Sequence, residues 1–534
     1  MRRIWILAAA MLVGCDLASE PTIQDESGSK LTFIHINDIY RVGAVEDGNA
    51  GGFGRIVTLT RDLQSQGRDV RILLGGDFLF PSLESQLWGG MQMVDALNFI
   101  DAVAPVYVVA GNHESDPRTG DHLVEAVKAS DFDWLGDNYR FATGNEEVDG
   151  ALHSSFLFAA GEYKVGAFAL LLHANDGGNE RDYLPIDPDY LAHAKRVIEE
   201  LEAAGADVII GVTHLHMWTD VEIAELRSEH PRFMFIVGGH EHEPEHSALG
   251  DDRAEVMKGA SNARQVWRID VDFDDAGMPM TTSELLDMDS SVVPDPEYDV
   301  LDRKWRGKLL EVFPFLTARV GEVAVPLDAR EVTIRNEESN WGNFVVDQMR
   351  GAFGEPQADL AFINSGTLRI DDYIIGDVAF EDIGRTFGFS SYLRYMTLTG
   401  AEFREVMQVG FRGEGPSKGY FPQVSGFRVC VDRSRPEGER IVSLQMPGDD
   451  AWAEIEPDRE YTLVVPDFIY QGGDGYRIPQ DRPVSRPGSE LVYLVLDAVM
   501  NAQAEGRKIG APVDPNNPRI VILEDPTQSC WPEN

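Results

Sequence analysis

Short apolar runs in the first half of the chain end, five times over, in side chains able to bind a metal ion. Residues 31–36 lead into Asn37 and Asp38, and residues 70–74 into Gly75, Gly76 and Asp77. Residues 105–110 lead into Gly111, Asn112, His113 and Glu114, and residues 206–212 into Thr213 and His214. Residues 233–237 lead into Gly238, Gly239, His240, Glu241 and His242. A single Gly-Asp is ordinarily a turn, and a single His at a strand end is ordinarily just hydrogen-bonded. Five such endings in succession are a different kind of signal. Carboxylate, amide oxygen and imidazole together suit Zn²⁺ or Mn²⁺, with Co²⁺, Fe²⁺ or Mg²⁺ as further options, rather than a thiolate site. Asp38, Asp77, Asn112, His214, His240 and His242 offer more donors than one four-coordinate ion needs. Two divalent ions bridged by one carboxylate use them economically, and such a pair can activate water and polarise a phosphate ester.

The runs have the length of buried strands, and stretches of helical periodicity (residues 55–66, 89–100 and 188–204) lie between them. Strand–helix alternation predicts a layered α/β domain, in which ligands collect beyond the carboxyl ends of strands. The glycines fit, because a chain that leaves a strand sharply and passes close to an ion has no room for a Cβ. His35 alternates away from its neighbours and reads as a core residue, and His216 as a hydrogen-bonding one. His173, His230 and His246 carry no usable pattern.

At 534 residues the chain exceeds one core, so two domains and a connector are expected. A charged amphipathic stretch, residues 294–313, reads as the connector helix. The expected division is a first domain over 31–290, a connector over 291–325 and a second domain over 326–525. Ninety acidic residues against 46 basic ones give a net charge of −44, which excludes general binding of nucleic-acid polymers. An anionic substrate therefore needs a local positive field, from metals or clustered arginines.

Arg2 and Arg3 precede the apolar run 4–13, followed by Gly14 and Cys15. This reads as an export signal, too short for an ordinary membrane span. Leu12-Val13-Gly14-Cys15 resembles the bacterial lipobox. That implies a signal peptide over 1–15, a polar tether over 16–30, and a lipid anchor holding the protein on the periplasmic face of a bacterial membrane or on the cell surface. Cys430 and Cys530 remain. They can pair in an oxidising compartment or stay as free thiols, and their positions in the sequence do not decide between the two.

The order Asp, Gly-Asp, Gly-Asn-His-Glu, His, Gly-His-Glu-His resembles the calcineurin-like metallophosphoesterases, and residues 30–290 resemble their 5′-nucleotidase branch. The resemblance implies an α/β fold: a four-layer αββα metallophosphoesterase sandwich joined by the connector helix to a second, α+β, substrate-binding domain. It implies that Asp38 and His242 hold one metal, that Asn112, His214 and His240 hold the other, and that Asp77 bridges them. His113 and Asp116 match the branch's catalytic dyad. One position departs, since Tyr40 stands where the branch has His. The phenol either coordinates as a phenolate or packs over the site while water completes the shell; the cost of ionising it favours the second.

Beyond residue 326, the segments 340–347, 364–369, 420–426 and 466–476 are similar to the 5′-nucleotidase C-terminal domain, with Ser365 replacing a glycine. On that likeness Arg369 meets the substrate phosphate and Asn364 belongs to the same site. Phe421 and Phe468 stack on a base, and Asp474 accepts hydrogen bonds from the ribose. Arg394 is a second phosphate candidate. The implied activity is release of phosphate from a small-molecule ester, above all a 5′-nucleotide. The alternatives are a sugar-phosphate phosphatase, a cyclic-nucleotide phosphodiesterase or a nucleotide-sugar pyrophosphatase on the same site. From another class comes a nucleotide-binding surface lipoprotein that has lost catalysis.

Overall fold

The computed structural model describes residues 31–117, 119–161, 163–173, 181–413, 418–448, 451–523 and 527–531. The expected export signal, Cys15 and the tether lie outside them. Among the described residues no helix is long and apolar enough to cross a membrane.

The first half is built on two facing sheets. One has seven strands, in the order Pro279–Asp287, Gln265–Phe273, Leu31–Ile36, Asp69–Leu74, Val106–Val109, Asp133–Leu135, Leu152–His153. The other has six, with Tyr163–Leu171, Val208–His214 and Phe233–Gly238 adjacent and parallel at its centre. Central strands are apolar on both faces because each is covered on both: Phe33 meets Phe235 of the opposite sheet with ring centroids 5.7 Å apart. Helices Phe53–Ser65 and Met91–Asp101 cover one outer face, and Tyr190–Ala203 and Met217–Ala224 the other. Helix, sheet, sheet and helix make the four layers. The expected helix over 89–100 is the helix Met91–Asp101, which starts two residues late because Gly89 and Gly90, both at positive φ, separate it from the short helix Leu83–Trp88.

Within the stretch expected to be the connector lies the helix Tyr298–Val312, whose Tyr298, Trp305 and Leu309 are buried. The Tyr298 hydroxyl donates to the Val42 carbonyl at 3.0 Å, and Trp305 packs on Trp88 at 5.2 Å, so this helix belongs to the first half's surface. Strand Arg319–Glu322 pairs with Asp377–Ala379.

The second half has its own cores, separate from those of the first. Helices Asn340–Gly351 and Leu491–Ala504 pack together on Trp341, Val345, Met349, Val495 and Val499. Ser339 caps the first of these helices by accepting from the backbone of Trp341 and Gly342, at 3.2 and 3.3 Å. A four-stranded sheet (Leu393–Thr399, Glu460–Pro466, Leu360–Asn364, Pro422–Ser425) presents its ends to the first half. Cys430 and Cys530, left open by the sequence, form a disulfide with Cα atoms 5.5 Å apart, tying residues 527–531 to the strand Arg428–Asp432.

Candidate functional site

All five donor-bearing loops leave the same edge of the sandwich. This follows from topology: Leu31–Ile36, Asp69–Leu74 and Val106–Val109 run parallel in one sheet, and Val208–His214 and Phe233–Gly238 in the other. The turns are tight enough to force left-handed backbone on non-glycine residues, with φ of 52° at Asp38, 53° at Asp77 and 80° at His240. Such strain persists only where the surroundings hold it, and it gathers at working sites. At Gly76 (φ 82°) a Cβ would lie 2.7 Å from the Gly111 nitrogen and 2.8 Å from His214 Nδ1, so the two loops can close only over glycine.

Glu114 locks two of these loops together. One carboxylate oxygen accepts the backbone N–H of Phe78 and Leu79 at 2.8 and 2.9 Å, and the other accepts those of Asp77 at 3.1 Å and of Gly111. Behind the His240 loop, the fully buried Lys258 donates to the carbonyls of Leu215 and Gly239 at 2.6 and 2.9 Å. It also pairs with the buried Asp220 at 2.6 Å and Glu241 at 3.2 Å. His35 is fully buried, with its ring nitrogens 3.2 and 3.1 Å from the carbonyls of Leu73 and Gly238; burial pulls its pKa down to about 4, so it is neutral.

The expected metal ligands come together. His214 Nε2 lies 3.3 Å from Asp77 Oδ2 and 3.0 Å from Asn112 Oδ1, and His240 Nδ1 lies 3.2 Å from the same Asn112 oxygen. His242 Nε2 lies 3.4 Å from Asp38 Oδ1, and ligand atoms of Asp38, Asp77 and His214 all lie within 4.8 Å of one another. The far nitrogens are engaged: His214 Nδ1 donates to the Gly75 carbonyl at 2.7 Å and His242 Nδ1 to Glu331. Each Nε2 is therefore the ring atom turned toward the cluster, where a metal-ligating imidazole must place it. Donor separations of this size suit bonds of about 2.0–2.2 Å to shared ions. The residues fit a pair of divalent cations: Asp38, His242 and Asp77 for one, Asp77, Asn112, His214 and His240 for the other.

The Tyr40 hydroxyl sits 3.0 Å from His242 Nε2 and 3.3 Å from Asp38 Oδ1, inside the cluster. Burial, then the Asp38 and Asp77 carboxylates, push this phenol well above its ordinary pKa, so without cations it stays protonated.

His113 Nδ1 lies 2.7 Å from Asp116 Oδ2, and its backbone N–H donates to Asp77 Oδ1 at 2.8 Å. Burial alone would lower the imidazole's pKa, but the Asp116 and Asp77 charges outweigh it and raise the value. Burial likewise opposes ionisation of Asp77, and the nearby His214 and His113 overcome it. From the second half, Arg369 reaches over this centre with Nη2 3.2 Å from His113 Nε2 and its guanidinium 5.2 Å from the Tyr40 ring. Its Nε donates to the Gly366 carbonyl at 2.7 Å, while its buried Nη1 has no hydrogen-bond partner among the described residues.

A cleft of about 310 Å³ lies between the halves over this centre. Asn364, Arg369, Phe468 and Asp474 line it, with Asn364 Nδ2 donating to Asp474 Oδ2 at 2.8 Å. Two expectations need correction. Phe421 is 3% exposed and packs edge-on against Phe411 in the core; the residues that face the cleft are its neighbour Tyr420 and, from another loop, Phe389. Arg394 is on the strand Leu393–Thr399 and turns away, donating to the Ser485 carbonyl at 3.3 Å beside Tyr470. Arg335, Arg412 and Lys418 also line the cleft and were not singled out from the sequence. With Arg369 they supply the local positive field that a chain of net charge −44 needs to hold an anion.

Comparison with known proteins agrees with this geometry. The family profile described as calcineurin-like phosphoesterase matches residues 31–244, and that of the 5′-nucleotidase C-terminal domain matches residues 319–481. The trifunctional nucleotide phosphoesterase protein YfkN of Bacillus subtilis is 24% identical over 543 residues, 94% of this chain, which spans only 36% of that protein. The 5′-nucleotidase of Homo sapiens is 22% identical over 508 residues, 85% of each chain. Among solved structures, a 5′-nucleotidase precursor from Thermus thermophilus superposes with a TM-score of 0.78 at 22% identity, over 93% of this chain and 100% of the other. Sulfate thiohydrolase SoxB of the same organism gives 0.71 at 15%, over 94% and 98%. Likenesses at these identities show the fold.

Proposed function

Starting from a chain that belongs to the 5′-nucleotidase family of metal-dependent phosphoesterases, we propose that it releases phosphate from 5′-nucleotides, using His113, Asp116 and the six-ligand cluster. The observation that carries the reading is Arg369. A guanidinium from one half lines the cleft with Nη2 3.2 Å from His113, in a site whose ligands and dyad come from the other half. A planar fork of this kind suits phosphate oxygens, and an anion between the halves would give it the acceptors it lacks.

When bound, the paired cations supply Lewis-acid activation of water and neutralise charge on the phosphoryl group. The chain's own residues do the rest. Arg369 and Arg335 orient the phosphate from above. His113, kept in place by Asp116, stands beside the reacting centre and stabilises transition-state charge or protonates the departing oxygen. Phe468, with Tyr420 or Phe389, offers aromatic faces to a base, and Asp474 with Asn364 meets the ribose hydroxyls. A lipid-anchored, exported location is part of the same proposal; the charged and apolar start of the sequence supports it, and so does the Cys430–Cys530 disulfide.

The test is phosphate release from a panel of nucleoside 5′-monophosphates, sugar phosphates, cyclic nucleotides and p-nitrophenyl phosphate, with Mn²⁺ or Zn²⁺ restored to stripped protein. Nucleoside monophosphates should give the highest kcat/KM. A clear preference for sugar phosphates would overturn the substrate assignment, and no turnover of any ester would overturn the catalytic one.

A further inference from the structure

The carboxylate that orients His242 comes from the opposite half of the molecule. Glu331 opens the one-turn helix Glu331–Ile334 in the second half. Its Oε2 accepts from His242 Nδ1, and from the Ser261 hydroxyl at 3.0 Å. Its Oε1 accepts from Arg335 Nη2 at 2.7 Å, and its backbone N–H donates to Asp371 Oδ1 at 3.0 Å. Asp371 Oδ2 returns across the boundary, accepting from Asn262 Nδ2 at 3.1 Å and pairing with Arg264 at 3.3 Å. Asn262 Oδ1 in turn accepts the backbone N–H of Tyr40 at 3.1 Å. Glu331 and Asp371 are each 1% exposed, Asn262 3% and Ser261 0%, so this seam is closed to water. A buried ion pair is weak grounds for stability, because desolvation consumes most of what the pair returns. A carboxylate placed there on a metal-ligand imidazole has a more specific use.

We infer that Glu331 is a positioning residue for the first metal, so that the affinity of that ion and the docking of the two halves are linked. The inference rests on the reading of the cluster as a two-metal centre. An imidazole whose Nδ1–H is held by a carboxylate keeps one tautomer and one ring orientation, and binds a cation more strongly through Nε2. Since the carboxylate belongs to the second half, separating the halves removes it and weakens the ion held by Asp38 and His242. By reciprocity, binding that ion favours the closed seam. The other metal site differs, since His214 is oriented by the Gly75 carbonyl of its own half.

The experiment uses the full-length protein, stripped and titrated with Mn²⁺ by calorimetry, as wild type, Glu331→Ala and Glu331→Gln. Wild type should bind two ions. Glu331→Ala should weaken one of them by about 10–100-fold and leave the other within about twofold. Turnover of p-nitrophenyl phosphate by this variant should recover at high Mn²⁺, which a general structural defect would not permit. Limited proteolysis should show that Mn²⁺ protects the connector in wild type, and that Glu331→Ala needs a correspondingly higher Mn²⁺ concentration for the same protection. Should Glu331→Ala fail to fold, Glu331→Gln keeps one acceptor oxygen and must still shift the same single site. Unchanged affinities in a folded variant, or equal weakening of both sites, would overturn the inference. Absence of paired ions in wild type would instead overturn the reading of the centre.

Discussion

Replacing Glu114 by Gln tests how the ligand loops are held. Each carboxylate oxygen accepts two backbone N–H groups, from Phe78 and Leu79 on one side and Asp77 and Gly111 on the other. A Gln side chain can satisfy one pair through its oxygen. Its NH₂ then faces the other pair, donor against donor, with no water to intervene because Glu114 is fully buried. An unsatisfied buried donor costs about 1–3 kcal/mol. Two of them predict a loss of about 3 kcal/mol once local relaxation is allowed for. At about 2–4 °C per kcal/mol for a unit of this size, Tm should fall by about 6–12 °C. Because Asp77 and Asn112 ride on the loosened loops, metal affinity should fall with it, by about tenfold or more. Calorimetric unfolding of stripped protein gives the first quantity and Mn²⁺ titration the second. A folded Glu114→Gln variant with Tm within about 2 °C of wild type and unaltered metal binding would refute the claim that this carboxylate fastens the loops.

Asp116 is among the charges that raise the His113 pKa, so Asp116→Asn should lower it. If the protonated imidazole serves the departing oxygen, the alkaline limb of the kcat–pH profile then moves to lower pH; an unmoved limb would contradict this. Phe468→Ala should raise KM for a nucleoside monophosphate by about 5–150-fold, the equivalent of about 1–3 kcal/mol of stacking, while KM for p-nitrophenyl phosphate stays near wild type. Parallel losses on both substrates would remove Phe468 from base recognition. Exchanging both Cys430 and Cys530 for Ser frees a loop of 100 residues and should cost up to about 4–5 kcal/mol in chemical denaturation, with activity retained in the folded protein.

The clustering of the candidate ligands was legible in the sequence because its logic is local. A parallel strand buried on both faces is apolar until it ends, and the residue after the end must turn sharply. Asp38, Asp77, Asn112 and His240 announce themselves by following such runs, and parallel topology then brings them to one edge. The second half was less legible for reasons that are also physical. At the entry to the strand Pro422–Ser425, adjacent residues face opposite ways, so a shift of one position separates Tyr420 in the cleft from Phe421 in the core. Phe389 sits in a loop with no periodicity to mark it. Glu331 is one acid among 90; its meaning arises only when folding carries it to His242, 89 residues away in sequence. Arg319–Glu322 is too short and polar to read as a strand until its partner Asp377–Ala379 is seen beside it.

The chemistry proposed for this centre depends above all on paired cations sharing Asp77. Anomalous diffraction from crystals grown with Mn²⁺ measures this directly. Two peaks flanking the Asp77 carboxylate are predicted, one beside Asp38 and His242 and the other beside Asn112, His214 and His240. A single peak, or none within bonding distance of Asp77, would contradict it.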